Sequence, residues 1–106
     1  MSADYGVPEA HAQNLENRQY APFGKKPIRV YSLISEVPQI LEIYRSNNGR
    51  YAWRLVIAGK PTQLHEIPNA AGIKKKNIDL VVAALLNDAE SSKTLFNMAW
   101  EGDTVH

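Results

Sequence analysis

The sequence contains no cysteine. Disulfides, thiolate zinc sites, iron–sulfur clusters and cysteine nucleophiles are excluded with it. No stretch approaches the roughly 20 apolar residues that a membrane helix requires. The opening residues, Met1 to His11, lack a basic segment followed by an apolar one, so no secretory signal is expected. A reducing, cytoplasmic setting and no membrane partner are the expectation. A large net charge is missing too: 12 basic residues against 11 acidic ones leave +1 at pH 7, too little to point to any partner. With 6 glycines and 6 prolines in 106 residues, collagen is excluded. What is present is one domain's length of chain, 44% hydrophobic and 22% charged, the balance of an ordinary globular domain.

The charge is unevenly distributed. Residues 1–27 are neutral overall, residues 28–76 carry +5, and residues 77–106 carry −4. Such a dipolar chain can steer an anionic partner or pair with a second copy of itself, although solvated surface is the plainer reading. The first 27 residues are polar and interrupted by Gly6, Pro8, Pro22, Gly24 and Pro27. They offer too little apolar surface to offset the entropy of ordering. We read residues 1–27 as a mobile arm, with Tyr5, Tyr20 and Phe23 as its anchors if it docks, and residues 28–106 as a single domain.

The strongest local signal is Tyr51-Ala52-Trp53-Arg54-Leu55-Val56-Ile57, in which large apolar residues alternate with others at the period of a strand. Ser46-Asn47-Asn48-Gly49 before it is a turn signal. Residues 37–45 read two ways. Val37, Ile40, Leu41 and Tyr44 have helical spacing, with Ser35 as a cap, whereas Leu41 and Ile43 alternate with Glu42 and Tyr44 as in a strand. The β-branched and aromatic content and the turn that follows favour the strand.

The hydrophobic pattern then selects a register. A connection with an odd residue count, pairing Tyr44 with Arg50, places Ile43 opposite Tyr51 and Leu41 opposite Trp53. It gathers Leu41, Ile43, Tyr51, Trp53, Leu55 and Ile57 on one face, and a glycine bulge at Gly49 produces it. Glu42, Tyr44, Arg50, Ala52, Arg54 and Val56 fall on the other face. Ala58-Gly59-Lys60-Pro61 is a second turn, Thr62 to Ile67 a weaker third strand, and Ile28 to Ile34 a further strand candidate.

From Lys74 onward the period changes. Ile78, Val81, Val82, Leu85, Leu86 and Ala89 form a helical stripe with Asn77 as its cap. Ser91 or Ser92 can cap a second short helix that Gly102 ends. The expected fold is therefore α+β: a small antiparallel sheet of three to four strands, covered on one face by a C-terminal helix, with a second short helix.

Leu41 to Leu55, with the turn Ser46-Asn47-Asn48-Gly49 inside it, resembles the strand–turn–strand opening of the YegP-like family, small bacterial and archaeal proteins of unknown function. Ala58-Gly59-Lys60 is similar to that unit's second turn, and Lys76 to Val81 to the start of its helix. The resemblance spans residues 40–89 and implies three antiparallel strands followed by a helix. Members often carry the unit twice, packed as a pair, so a chain with one unit implies a homodimer. The third strand departs from the pattern with Pro61 and Pro68, and the resemblance brings no catalytic residues.

Chemistry is sparse. His11, His65 and His106 are far apart, and His65-Glu66 does not extend to a zinc-protease motif because Asn69 stands where the second histidine belongs. No metal site and no cofactor are expected, and His65 reads as an exposed strand residue. No serine sits in a nucleophile elbow, and residues 69–76 have no phosphate-loop spacing. No catalytic residue is assigned.

Two features suit binding. Tyr44, Arg50 and Arg54 share the polar sheet face, where aromatic and guanidinium groups can meet nucleic acid, although this face can equally be solvated or covered by the arm. Lys74, Lys75 and Lys76 precede a helix, where the dipole disfavours cations; phosphate contact or plain solubility explains them. Phe96 and Trp100 mark either a partner or dimer surface, or part of the core. The expected function is a non-enzymatic interaction protein, of adaptor or stoichiometric-inhibitor type, docking on another macromolecule. Its partner is a protein or a second copy. Nucleic-acid binding and a small enzyme of unknown reaction are the alternatives.

Overall fold

The computed structural model describes residues 23–24 and 26–104. The expected arm, residues 1–27, lies largely outside the described residues. The strands are β1 (Arg29–Ser32), β2 (Gln39–Arg45), β3 (Tyr51–Ile57), β4 (Lys60–Pro61) and β5 (His65–Glu66). A 3-10 turn at Lys75–Asn77 leads into α1 (Ile78–Asn87), and α2 (Ala89–Thr104) follows. The antiparallel sheet runs β1-β2-β3-β4, with β5 also paired to β3. The class is α+β. The second helix is not short: at 16 residues it exceeds the 10 of the first.

Residues 39–45 form a strand, and the odd connection puts the expected residues on each face. The register differs by two residues from Tyr44 opposite Arg50. Arg45 pairs with Tyr51, Ile43 with Trp53 and Leu41 with Leu55. The turn is the reason. Gly49 N donates to Ser46 O at 3.2 Å, and Ser46 N donates to Arg50 O at 2.8 Å. Gly49 has φ +86°, while neither Asn47 nor Asn48 has positive φ. This is a tight turn closed by a glycine bulge. It needs three residues between its last paired positions, so the strands pair closer to the turn.

The second turn, Ala58-Gly59, has φ of +53° and +80°, the positive pair that matches strand twist in a two-residue hairpin. The third strand is broken. Pro61 pairs with Val56, but His65 pairs with Trp53. Residues 62–64 thus oppose Arg54 and Leu55 alone, a one-residue bulge that reverses the faces beyond it. Thr62 anchors the bulge, its Oγ1 donating to Leu55 O at 2.9 Å. His65 consequently lies on Trp53's face. It is half-buried and stacked on that indole at 4.8 Å, not an exposed strand residue.

Leu41, Ile43, Tyr51, Trp53 and Leu55 from the sheet meet Ile78, Val81 and Leu85 of α1 and Leu95 of α2 in one core. The stripe expected on α1 is narrower in fact: Val82 is half-buried, and Leu86 and Ala89 are exposed. The chain turns at Asp88, which separates α1 from α2, so Ala89 leaves the face of α1, while Leu86, still within α1, lines an open groove.

Asp88 also caps α2, its Oδ2 accepting from Ser91 N at 2.9 Å; the cap is neither Ser91 nor Ser92. Asn77 stands at the N-terminus of α1 but makes no side-chain cap bond. Gly102 does not end α2. It lies inside the helix, where a Cβ would come within 2.9 Å of two Ile57 side-chain carbons. The glycine lets α2 approach β3 closely.

Candidate functional site

The outer sheet face brings Tyr44 and Arg54 together, as their shared face predicts, but leaves neither free. Tyr44 is buried with Phe23 and Ala52. Its hydroxyl donates to Glu42 Oε1 at 2.8 Å and accepts from Arg54 Nη2 at 2.9 Å. Arg54 Nε also donates to Glu42 Oε1 at 2.8 Å. Burial, and next the hydrogen bond to Glu42, raise the Tyr44 pKa above its usual value. Burial works against the charge of Arg54, but the hydrogen bond to Glu42 and the charges around it outweigh burial and raise its pKa.

Arg50 stands apart from that pair. It is bonded to both oxygens of Glu66, and its guanidinium lies 5.5 Å from the Phe23 ring centroid. The hydrogen bond from Arg50 lowers the Glu66 pKa. Each arginine of the expected basic face is therefore matched by a carboxylate. Glu66 reaches this face only because the bulge at 62–64 reverses the strand.

Lys74, Lys75 and Lys76 are exposed in and before the 3-10 turn. Beside Lys75 and Lys76 the structure places Arg29, which is 46 and 47 residues away from them in sequence and which sequence reasoning passed over.

The apolar surface lies elsewhere. An open groove of about 690 Å³ runs between the edge of the sheet and the two helices. Tyr31, Leu33 and Leu41 line it from the sheet, Val82 and Leu86 from α1, and Phe96, Ala99 and Trp100 from α2. Its origin is topological. β1 is an edge strand, and α2 packs on β3, which leaves the inward side of β1 uncovered by the helix.

Phe96 and Trp100 are 61% and 70% exposed, so they are outside the core. Leu86 and Ile34 are exposed beside them. Two contacts hold the groove's far end: Gln39 Nε2 donates to Ala99 O at 2.9 Å, and Val37 N donates to Asp103 Oδ1 at 2.9 Å. Tyr31 Oη and Gln39 Oε1, both on lining residues, are buried without a hydrogen-bond partner among the described residues. Sequence reasoning singled out Phe96 and Trp100 but missed Tyr31, Leu33, Ile34 and Leu86. Only the path of α2 over the sheet brings these together.

Among the described residues no group of three or more His, Asp or Glu is placed to hold a metal ion. No helix among them is long and apolar enough to cross a membrane. No family model, curated protein or solved structure matches the chain.

Proposed function

We propose that this chain is a non-enzymatic interaction protein that docks through the groove between β1 and α2, and that the occupant is a second copy of itself. The carrying observation is that one surface holds both the groove and the protruding aromatics Phe96 and Trp100. A surface with a projection and a recess side by side is what a two-fold interface needs, because each copy fills the other's recess.

The exposed apolar side chains supply a large part of the area that pairing needs. At the 150–250 Å² that an aromatic side chain buries, Phe96 and Trp100 offer roughly 300 Å². Leu86 and Ile34 bring the total above half of the about 800 Å² per partner in a standard interface. The pairing implied by the resemblance to YegP-like units points the same way.

Sedimentation velocity over a concentration series tests this. The expected result is a wild-type dimer, with a Phe96→Ala/Trp100→Ala variant that stays monomeric and folded. A wild-type protein that is monomeric throughout removes the second copy as occupant. A dimer that survives in the variant moves the interface away from the groove.

A further inference from the structure

Where β1 begins and the 3-10 turn enters α1, a second depression of about 370 Å³ is lined by Ile28, Arg29, Lys75, Lys76 and Ile78. Ile78 is buried and Ile28 half-buried, so the floor is apolar, while the three cations are exposed around it. Among the described residues no acidic one lines it. Arg50 and Arg54 are both paired with carboxylates, but no ion pair is made by Arg29, Lys75 or Lys76 among the described residues.

Three like charges gathered from two distant segments repel one another, the more so beside an apolar floor that takes the place of water. Lys75 and Lys76 also precede α1, where the helix dipole is unfavourable for a cation. An arrangement that costs free energy in the unliganded protein is relieved by a multiply charged anion. Phosphate, with its oxygens shared among an arginine fork and two lysines, fits that chemistry.

We infer that Arg29, Lys75 and Lys76 form a binding site for the phosphate of a phosphorylated ligand. The site is separate from the groove and independent of the dimer. It also relocates the anion-binding surface from the outer sheet face, where the arginines are neutralised, to this corner. The phosphate can belong to a nucleic-acid backbone or to a small organic phosphate, and the probes separate the two.

The test titrates the full-length protein into a labelled single-stranded DNA oligonucleotide, with ATP and inorganic phosphate as separate ligands read by calorimetry. Three contacts to a single strand predict a log–log salt slope of about −2, or about 20-fold weaker binding at 200 mM than at 50 mM salt. Arg29→Ala, Lys75→Ala and Lys76→Ala each reduce the slope by about 0.7, and the triple variant abolishes binding while its thermal melt stays at or above that of the wild type. Lys93→Ala, on α2, leaves binding intact. DNA binding with this pattern assigns the phosphate to a nucleic-acid backbone; binding of ATP or phosphate alone, lost in the triple variant, assigns it to a small ligand. Absence of binding to all three probes at 50 mM salt overturns the inference. So does binding that the triple variant retains or that Lys93→Ala weakens equally.

Discussion

Glu42 on β2 and Arg54 on β3 stand directly opposite each other, with Arg54 Nε 2.8 Å from Glu42 Oε1. Both are mostly withdrawn from water, and the hydroxyl of buried Tyr44 bonds to each of them. Removing one partner therefore leaves a partly buried charge unmatched. Glu42→Gln or Arg54→Ala is expected to cost about 1–3 kcal/mol, read as a lower urea midpoint with unchanged slope. The Glu42→Ala/Arg54→Ala double variant should lose less than the two single changes added together. Strict additivity would show that the pair does not interact. The raised Tyr44 pKa adds a pH signature. The folded phenol holds its proton where the unfolded one, at about 10, releases it. This contribution is full below that value and is lost as pH rises through the folded value.

Gly102 sits where a Cβ would come within 2.9 Å of Ile57 Cδ1 and Cγ2. Gly102→Ala gains about 1 kcal/mol of helix propensity but forces α2 away from β3, at about 1–3 kcal/mol. A net loss of stability is expected. Ile57→Val removes one of the two clashing carbons, so it should recover part of that loss when combined with Gly102→Ala. A Gly102→Ala variant more stable than wild type would mean that the helix yields freely at this point.

Ala58 has φ +53° in the two-residue turn between β3 and β4. Alanine pays a steric penalty there that asparagine largely avoids. Ala58→Asn creates the Asn-Gly pair that this hairpin geometry favours and should stabilise the protein by about 0.5–1 kcal/mol. Ala58→Val should destabilise it. Paired thermal melts give the answer.

The sequence disclosed the faces of the sheet better than the pairs within it. Alternation along Tyr51 to Ile57 and Leu41 to Tyr44 sorts inward from outward residues whatever the register, because side chains alternate with a period of two. The register rests on how many residues the Ser46–Arg50 turn consumes, and a slip of two keeps every face correct while changing every partner. With Tyr44 placed opposite Arg50, Glu42 fell opposite Ala52, and the Glu42–Arg54 pair was invisible. The bulge at residues 62–64 hid Glu66 in the same way, since simple alternation cannot show where a strand reverses its faces.

The two helices were legible as apolar periods, but their relation was not. Sequence reasoning gives Asp88 no structural role, and only the fold shows that it stands between the helices with its carboxylate capping the second. The groove and the Arg29–Lys75–Lys76 corner depend on contacts between segments dozens of residues apart. No local pattern carries those.

His65 is half-buried against Trp53, beside a small depression that Glu90, Ser91 and Thr94 also line. Burial lowers its pKa. In the unfolded chain it takes up a proton near its ordinary value of about 6.5, whereas the folded protein resists until the pH is lower. The stabilisation is therefore present above about 6.5 and is lost as pH falls through the folded value. An NMR titration should place the His65 midpoint below that of an unstructured histidine. His65→Gln should flatten the stability profile over the same interval. A midpoint at or above the ordinary value would mean that the ring is hydrated or charge-paired, contrary to the burial account.

Phe23 is buried against Tyr44 and Ala52, with half-buried Leu64 packed on the same cluster, and Arg50 lies over its ring. This one side chain covers the outer face at the place where an exposed Tyr44 would otherwise offer a stacking surface. Phe23→Ala is expected to cost about 2–4 kcal/mol, somewhat less than a central core truncation because the site opens toward solvent. Phe23→Leu keeps most of the burial and loses the ring under Arg50, so its cost should stay below about 1.5 kcal/mol. Near-neutral Phe23→Ala would mean that the segment before β1 contributes nothing to the fold, and that Tyr44 is covered only loosely. A large loss with Phe23→Ala and a small one with Phe23→Leu would show that apolar burial, rather than the cation over the ring, holds this segment on the sheet.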